Sequence, residues 1–327
     1  MSRVSLKNNS SEKIKIILMG TPDFSLPSFK AIKNDDFFEV IGVFTQPDKA
    51  SGRKKIVSAP PVKLWAQAEN LPIYQPEKIK PVTELIKELA PDLIVVIAYG
   101  KIIPLEILNI PPHDCINVHA SLLPKYRGAA CLNAPILNGD RKTGLTIMKM
   151  DEGLDTGPIL KQIQINLDKK ETLFSLHNKL AELSTKILPN TLKDWVGGKI
   201  KPQKQDNSQA SYIGVLKKED GLINWLQPAI EIERKIRAFN PWPGTFSYIN
   251  LKNKNKKIIK ILEANIADTK NSENFKAGQL YAEAKKLKIK CGQNSLHILK
   301  LQIEGGKKIT GSEFLVGHQE YLQQILG

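Results

Sequence analysis

IKIILMGTP, residues 14–22, decides the fold class. Its first six residues include five apolar ones and are too few for a helix, so they read as a buried strand. Gly20-Thr21-Pro22 then ends the strand and opens a helix running to about Lys33, with Thr21 as N-cap and Pro22 at the first helical position. Working outward, the alternation repeats. Residues 38–44 (FEVIGVF) form a second β-rich run, 61–69 a helix, 72–74 a short strand, 82–89 a helix and 92–98 (DLIVVIA) an apolar strand. Strands alternating with helices predict an α/β fold, a Rossmann-like and mostly parallel sheet with helices on both faces. Residues 115–119 (CINVH) and 144–149 (GLTIMK) add strands, 157–167 alternates as an edge pair would, and 171–195 is a long helix closing the unit.

After Gly197-Gly198 the chain changes character. Residues 199–211 (KIKPQKQDNSQAS) are polar and lack periodicity, which predicts a linker extending to about residue 217. Beyond it, β-like runs at 246–249, 257–262, 287–291 and 296–303 are separated by turn residues, the pattern of a small OB-like β-barrel. The expected organisation is an N-terminal extension (1–13), a catalytic domain (14–198), a linker (199–217) and a C-terminal barrel (218–327). A length of 327 residues suits two domains, and 41% apolar against 25% charged residues excludes intrinsic disorder, collagen and a mini-scaffold.

The formal charge is +15. Residues 201–327 hold 21 basic and 12 acidic side chains, against 27 and 21 in residues 1–200, so the C-terminal part is about twice as basic per residue. A basic second domain suits an anionic partner such as nucleic acid. Cys115, Cys131 and Cys291 are odd in number, widely spaced and without C-x-x-C, so neither a disulfide framework nor a metal site is expected. The first thirteen residues, MSRVSLKNNSSEK, show no signal-peptide pattern and are expected to be disordered. No apolar stretch approaches the roughly 20 residues that span a bilayer, so a soluble, cytoplasmic protein without a membrane partner is expected.

Residues 20–25 (GTPDFS) lack G-x-G-x-x-G, which disfavours a dinucleotide cofactor, and neither a Walker A sequence nor H-E-x-x-H occurs. The informative stretch is CINVHASLLPKYRGAA, residues 115–130. In a strand, residues two apart share a face, so Asn117 and His119 project together at the C-terminal end of a parallel strand, where open α/β sheets place ligands. An amide beside an imidazole suits stabilising a tetrahedral oxyanion and passing a proton during acyl transfer. In MDEGLDTGP (150–158), Gly153 and Gly157 frame a loop that can hold Asp155 against His119. No serine or cysteine is paired for nucleophilic attack, which favours direct attack by a bound amine.

ILMGTPDFS (17–25), TQPD (45–48), SGRKK (51–55), NVHASLLPKYRGAA (117–130), MDEGLDTG (150–157) and IRAFNPWPGTF (236–246) together resemble the methionyl-tRNA formyltransferases of the folate-dependent formyltransferase family. The 36 residues between His119 and Asp155 are similar to that group's spacing. The resemblance implies transfer of a formyl group from 10-formyltetrahydrofolate to the α-amino group of methionine on initiator methionyl-tRNA; a monomer is expected. It implies that Asn117 and His119 hold the oxyanion, that Asp155 assists proton transfer, and that Ser121, Leu122, Leu123 and Pro124 line the folate site beside the strand 93–98. It also implies that Arg53, Lys54 and Lys55 on a basic loop, and Lys252, Lys254, Lys256 and Lys257 on the barrel, contact tRNA phosphates. Phe239 to Gly244 (FNPWPG) is expected to be structural, with Trp242 packed and Gly244 permitting a turn. Cys131-Leu132 departs from the family's pattern, as does a basic loop one residue short. Two alternatives stand beside this reading: a folate-dependent formyltransferase acting on an amino-sugar nucleotide, and a non-enzymatic tRNA- or folate-binding protein.

Overall fold

The computed structural model describes residues 12–51, 56–250, 256–267 and 274–327. Arg53, Lys54, Lys55, Lys252, Lys254 and the extension 1–11 lie outside the described residues. The chain forms two compact units. The first comprises Met1–Arg127, Gly144–Gln164 and Asn178–Ser211, and the second Gly128–Thr143, Ile165–His177 and Tyr212–Gly327.

The first unit opens with β1 (Ile14–Gly20), α1 (Leu26–Lys33) and β2 (Phe38–Phe44), then a hairpin of β3 (Lys49–Ser51) and β4 (Ile56–Ser58). α2 (Pro61–Ala68), β5 (Ile73–Tyr74), α3 (Thr83–Leu89), β6 (Leu93–Ile97), α4 (Leu105–Leu108) and β7 (Cys115–His119) follow. After α5 (Ala134–Asn138), which belongs to the second unit, come β8 (Lys142–Lys149), β9 (Ile159–Asn166) and the long α6 (Leu173–Val196). Seven strands make one sheet in the order β5-β2-β1-β6-β7-β8-β9. The five from β5 to β7 pair in parallel, and β8 runs antiparallel to β7. Ile16, Ile17, Leu18 and Met19 are all fully buried, as are residues 93–95 and 97, so both faces of the sheet are covered at its centre. One face packs Ile17, Met19, Ile94 and Val96 against Ile86 of α3 and Ile107 of α4.

The first helix departs from its sequence reading. Pro22 is extended, Asp23–Ser25 form a single 3-10 turn, and α1 starts only at Leu26. Pro27 explains the delay: it has no N–H to give an α-helical bond to Asp23, so it is accommodated only in a first turn. Thr21 does not cap; its hydroxyl donates to the Tyr99 carbonyl at 2.9 Å. Gly20 is required by close approach, since a Cβ there would sit 2.7 Å from the Phe29 ring of α1 and 2.9 Å from the Ile97 carbonyl.

In the second unit, α7 (Ala229–Phe239) precedes β10 (Thr245–Asn250), β11 (Lys256–Ala267), β12 (Leu280–Glu283), β13 (Lys286–Lys290), β14 (Ser295–Ile303), β15 (Lys308–Thr310) and α8 (Gly311–Gly317). The strands form an antiparallel, barrel-like sheet in the order β10-β11-β14-β13-β12, with β15 on β14. Irregular register around Glu263 bends β11, so that Ile259, Ile261 and Ala264 all enter one core despite their odd spacing. Ile232 and Ile236 of α7 and Phe314 of α8 fill it. Neither helix was expected from the sequence, although Thr310 and Glu313 form a capping box that marks the start of α8.

Two expectations are corrected here. Trp242 is not packed but 58% exposed, because Phe239, at the end of α7, takes the buried position of that segment. Its Gly244 has φ +76°, as the turn requires. Residues 199–211, read as a linker, are held on the first unit: Gln203 pairs with Ile159, and the Ser211 carbonyl accepts the Arg127 N–H at 2.8 Å.

Candidate active site

β7 lies between β6 and β8, with Val96 opposite Asn117 on one side and Thr146 opposite His119 on the other. Strand parity places Asn117 and His119 on one face at its C-terminal end. The loop 150–158, between β8 and β9, brings Asp155 to both. Asn117 Nδ2 donates to Asp155 Oδ1 at 3.5 Å, and His119 Nδ1 lies 3.5 Å from Asp155 Oδ2. One carboxylate thus spans the amide and the imidazole, each oxygen meeting one of them.

The second ring nitrogen is committed elsewhere. His119 Nε2 is 2.9 Å from the Tyr126 carbonyl, and a carbonyl only accepts, so Nε2 carries a hydrogen. Proton exchange at this imidazole therefore falls to Nδ1, the atom that faces Asp155. The pair is attractive when it holds a proton between ring and carboxylate. Cys115, two residues upstream of Asn117, is no competing nucleophile: burial pushes its thiol far up, with the Asp114 charge adding to the shift.

The loop that carries Asp155 is tightly specified. Asp155 has φ +54°, a left-handed conformation uncommon for a residue with a Cβ. Asp151 Oδ1 accepts the Gly153 N–H at 3.2 Å and the Thr156 hydroxyl at 2.6 Å. Gly157 presses on β8, and a Cβ there would fall 1.8 Å from the Lys149 carbonyl oxygen. Gln205 adds two donors, its Nε2 reaching the Asp155 carbonyl at 2.9 Å and the Gly157 carbonyl at 2.7 Å.

The segment expected to line a folate site, 121–124, is spread over different environments. The Ser121 hydroxyl turns back to the Lys125 carbonyl at 2.6 Å, and Leu123 is buried with its N–H on Thr146 Oγ1 and its carbonyl accepting Gln162 Nε2. Leu122 and Pro124 are half-buried, the two side chains of the four that reach the surface. The strand 93–97 is buried throughout, and only Ala98 at its end is exposed. Among the lysines expected to contact tRNA, Lys256 and Lys257 are exposed. Lys256 and Lys260 share the outward parity of β11, whereas Lys257 has the parity of Ile259 and Ile261.

Sequence reasoning missed Arg127 and Gln205. Arg127 is 1% exposed, and its Nε and Nη2 donate to Gln205 Oε1 at 3.2 and 2.8 Å, with Nη2 also donating to Asn207 Oδ1 at 2.8 Å. An arginine shortly after the 121–124 segment is a weak signal; its amide partner, 78 residues away, has none. A cavity of about 620 Å³ lies wholly within the second unit, lined among others by Arg141, Lys170, Arg234 and Arg237, and holds none of Asn117, His119 or Asp155. Among the described residues no cluster of His, Cys, Asp and Glu could hold a metal, and no helix is long and apolar enough to cross a membrane.

Known proteins resemble this chain over most of its length. Residues 12–192 match the formyl transferase family model, and residues 215–319 match that of the formyl transferase C-terminal domain. The methionyl-tRNA formyltransferase of Caldanaerobacter subterraneus subsp. tengcongensis is 43% identical over 308 residues, covering 93% of this chain and 97% of the relative. That of Geobacter sulfurreducens is 41% identical, covering 93% and 94%. Among solved structures, the sugar 3N-formyl transferase WlaRD, determined with dTDP and 5-N-formyl-THF, aligns with a TM-score of 0.62 at 21% identity, over 90% of this chain and all of that one. An N-formyltransferase from Helicobacter canadensis, in complex with folinic acid and dTDP-3-aminofucose, aligns at 0.63 and 19% identity with the same coverage. These structural likenesses concern the fold. With more than half its residues inside the first model and relatives above 40% identity along nearly its full length, the chain belongs to the formyl transferase family.

Proposed function

We propose that this protein transfers the formyl group of 10-formyltetrahydrofolate to the α-amino group of methionine on initiator methionyl-tRNA. The observation that carries the reading is the convergence of Asn117, His119 and Asp155 at the end of β7, in a chain 43% identical to a methionyl-tRNA formyltransferase. The amine nitrogen attacks the formyl carbon, the carbonyl electrons move to oxygen, and an amide proton of Asn117 with the Nδ1–H of protonated His119 stabilise that oxyanion. Collapse breaks the bond to the folate nitrogen, which takes a proton as it leaves. The amine in turn loses one. The His119–Asp155 pair supplies the first and collects the second through Nδ1, so its charge is restored over the cycle.

Leu122 and Pro124, the half-buried side chains of the 121–124 segment, are assigned to the folate, and Lys256 and Lys257 to tRNA phosphates. The expected place of action is the cytoplasm, where charged initiator tRNA is found. The deciding experiment incubates the protein with formyl-labelled 10-formyltetrahydrofolate and either methionyl-initiator tRNA or an amino-sugar nucleotide. Label on the tRNA supports the reading; label on the sugar alone replaces it with the second acceptor class; tRNA binding without any transfer leaves a binding protein.

A further inference from the structure

The side chain of Gln205 is saturated. Its oxygen accepts two guanidinium N–H groups of Arg127, at 3.2 and 2.8 Å, and its nitrogen gives its two protons to the carbonyls of Asp155 and Gly157, at 2.9 and 2.7 Å. Arg127 only donates and carbonyls only accept, so the two neighbours fix which end of the amide points which way. Both Gln205 and Arg127 are buried, where a polar group without partners is costly and a satisfied one is rigid. The two carbonyls flank Thr156, within the turn whose Asp155 has φ +54°. A strained backbone of that kind persists where its surroundings over-determine it.

We infer that Gln205, oriented by Arg127, is a positioning residue that clamps the 155–157 backbone and so holds the Asp155 carboxylate against Asn117 and His119. It touches neither substrate nor reacting atoms and acts only through Asp155. This inference rests on the proposed transferase reading for its kinetic consequences, and on geometry alone for its effect on His119.

Gln205→Glu separates positioning from scaffolding. A carboxylate still accepts from Arg127, and does so as an ion pair, but it has no protons for the two carbonyls and repels them. Were Gln205 only a partner for Arg127, Gln205→Glu would be as stable and as active as the wild type. The clamp predicts a lower melting temperature, because the Asp155 and Gly157 carbonyls lose their donors, and a kcat lower by about 10²-fold, the scale for displacing a catalytic group by about 1 Å. KM for the folate donor stays within about threefold, because uniform binding is untouched. In an Asp155→Asn background the further loss shrinks to under about threefold, since a clamp without its carboxylate has nothing to position. Gln205→Met, uncharged and of similar length, carries the same kinetic prediction if Gln205→Glu does not fold.

An activity-independent reading comes from NMR titration of the His119 ring proton. A carboxylate held at Nδ1 favours the charged ring, so Gln205→Met, which loosens the clamp without adding a charge, lowers the midpoint in the same direction as Asp155→Asn. A folded variant with wild-type kcat and an unmoved His119 titration overturns the inference. A wild-type protein that transfers no formyl group, yet shows the His119 shift on substitution, overturns the transferase reading and leaves the clamp standing.

Discussion

Replacing Arg127 by methionine removes a guanidinium from the interior while nearly conserving volume. Among the described residues, hydrogen bonds to side-chain amides go with it, two on Gln205 Oε1 and one on Asn207 Oδ1. Asn207 is exposed, so water replaces its donor at small cost. Gln205 Oε1 is buried and is left without either guanidinium donor, at about 1–3 kcal/mol for the orphaned acceptor, on top of the lost charge-assisted bonds at about 1.5–3 kcal/mol each. Relief of guanidinium desolvation offsets part of this. The net expectation is a loss of about 2–4 kcal/mol, or a fall of about 5–15 °C in melting temperature for a unit of this size. Arg127→Lys, which keeps the charge but not the fork, falls between the two. The Arg127 N–H to Ser211 bond is backbone and survives in every variant. Differential scanning calorimetry of the three proteins measures the order wild type, lysine, methionine. A methionine variant melting within about 2 °C of wild type refutes the reasoning, because it means that the buried amide does not depend on the guanidinium.

Three further outcomes are expected. Gly157→Ala places a Cβ 1.8 Å from the Lys149 carbonyl, so the loop carrying Asp155 shifts, with stability lower by about 1–3 kcal/mol in chemical denaturation and a slower transfer rate. His297, lying between β11 and β13, is held below its ordinary 6.5 by burial first and by Lys286 and Lys288 next. Below pH 6.5 the unfolded chain therefore takes this proton more readily than the folded one, and stability falls as pH drops from 6.5 through the folded value; urea midpoints of His297→Gln flatten over that window, and an unchanged slope contradicts the assignment. Affinity for initiator tRNA, plotted as log K against log salt, is linear and loses about one unit of slope on Lys257→Ala if that lysine meets a phosphate; an unchanged slope removes Lys257 from the interface.

What the sequence disclosed follows from the range of the interactions involved. The strand 92–98 was legible because a short apolar run needs no partner to be recognised, and Asn117 with His119 because strand parity is local. Asp155 needed the family resemblance as well, since nothing local ties residue 155 to residue 119. The clamp was not legible at all: Gln205 sits in a polar stretch without periodicity, and its role exists only once the chain returns to Arg127. The start of α1 was misplaced because a helix-initiating Thr21-Pro22 outweighed a second proline at 27, whose missing N–H decides where the α-helical bonding begins. Trp242 was expected inside in a segment fixed by two prolines, but Phe239 occupies the buried place three residues after the core residue Ile236.

The account stands on Asn117, His119 and Asp155 acting on one carbon, and single-turnover formyl transfer from 10-formyltetrahydrofolate to methionyl-initiator tRNA tests it most directly. Asn117→Ala, His119→Ala and Asp155→Ala are each expected to lower the rate by about 10²–10⁴-fold, and the Asn117→Ala/His119→Ala double variant to be little worse than the poorer single, as for groups that work as a unit. A His119→Ala protein that turns over at close to the wild-type rate contradicts the assignment.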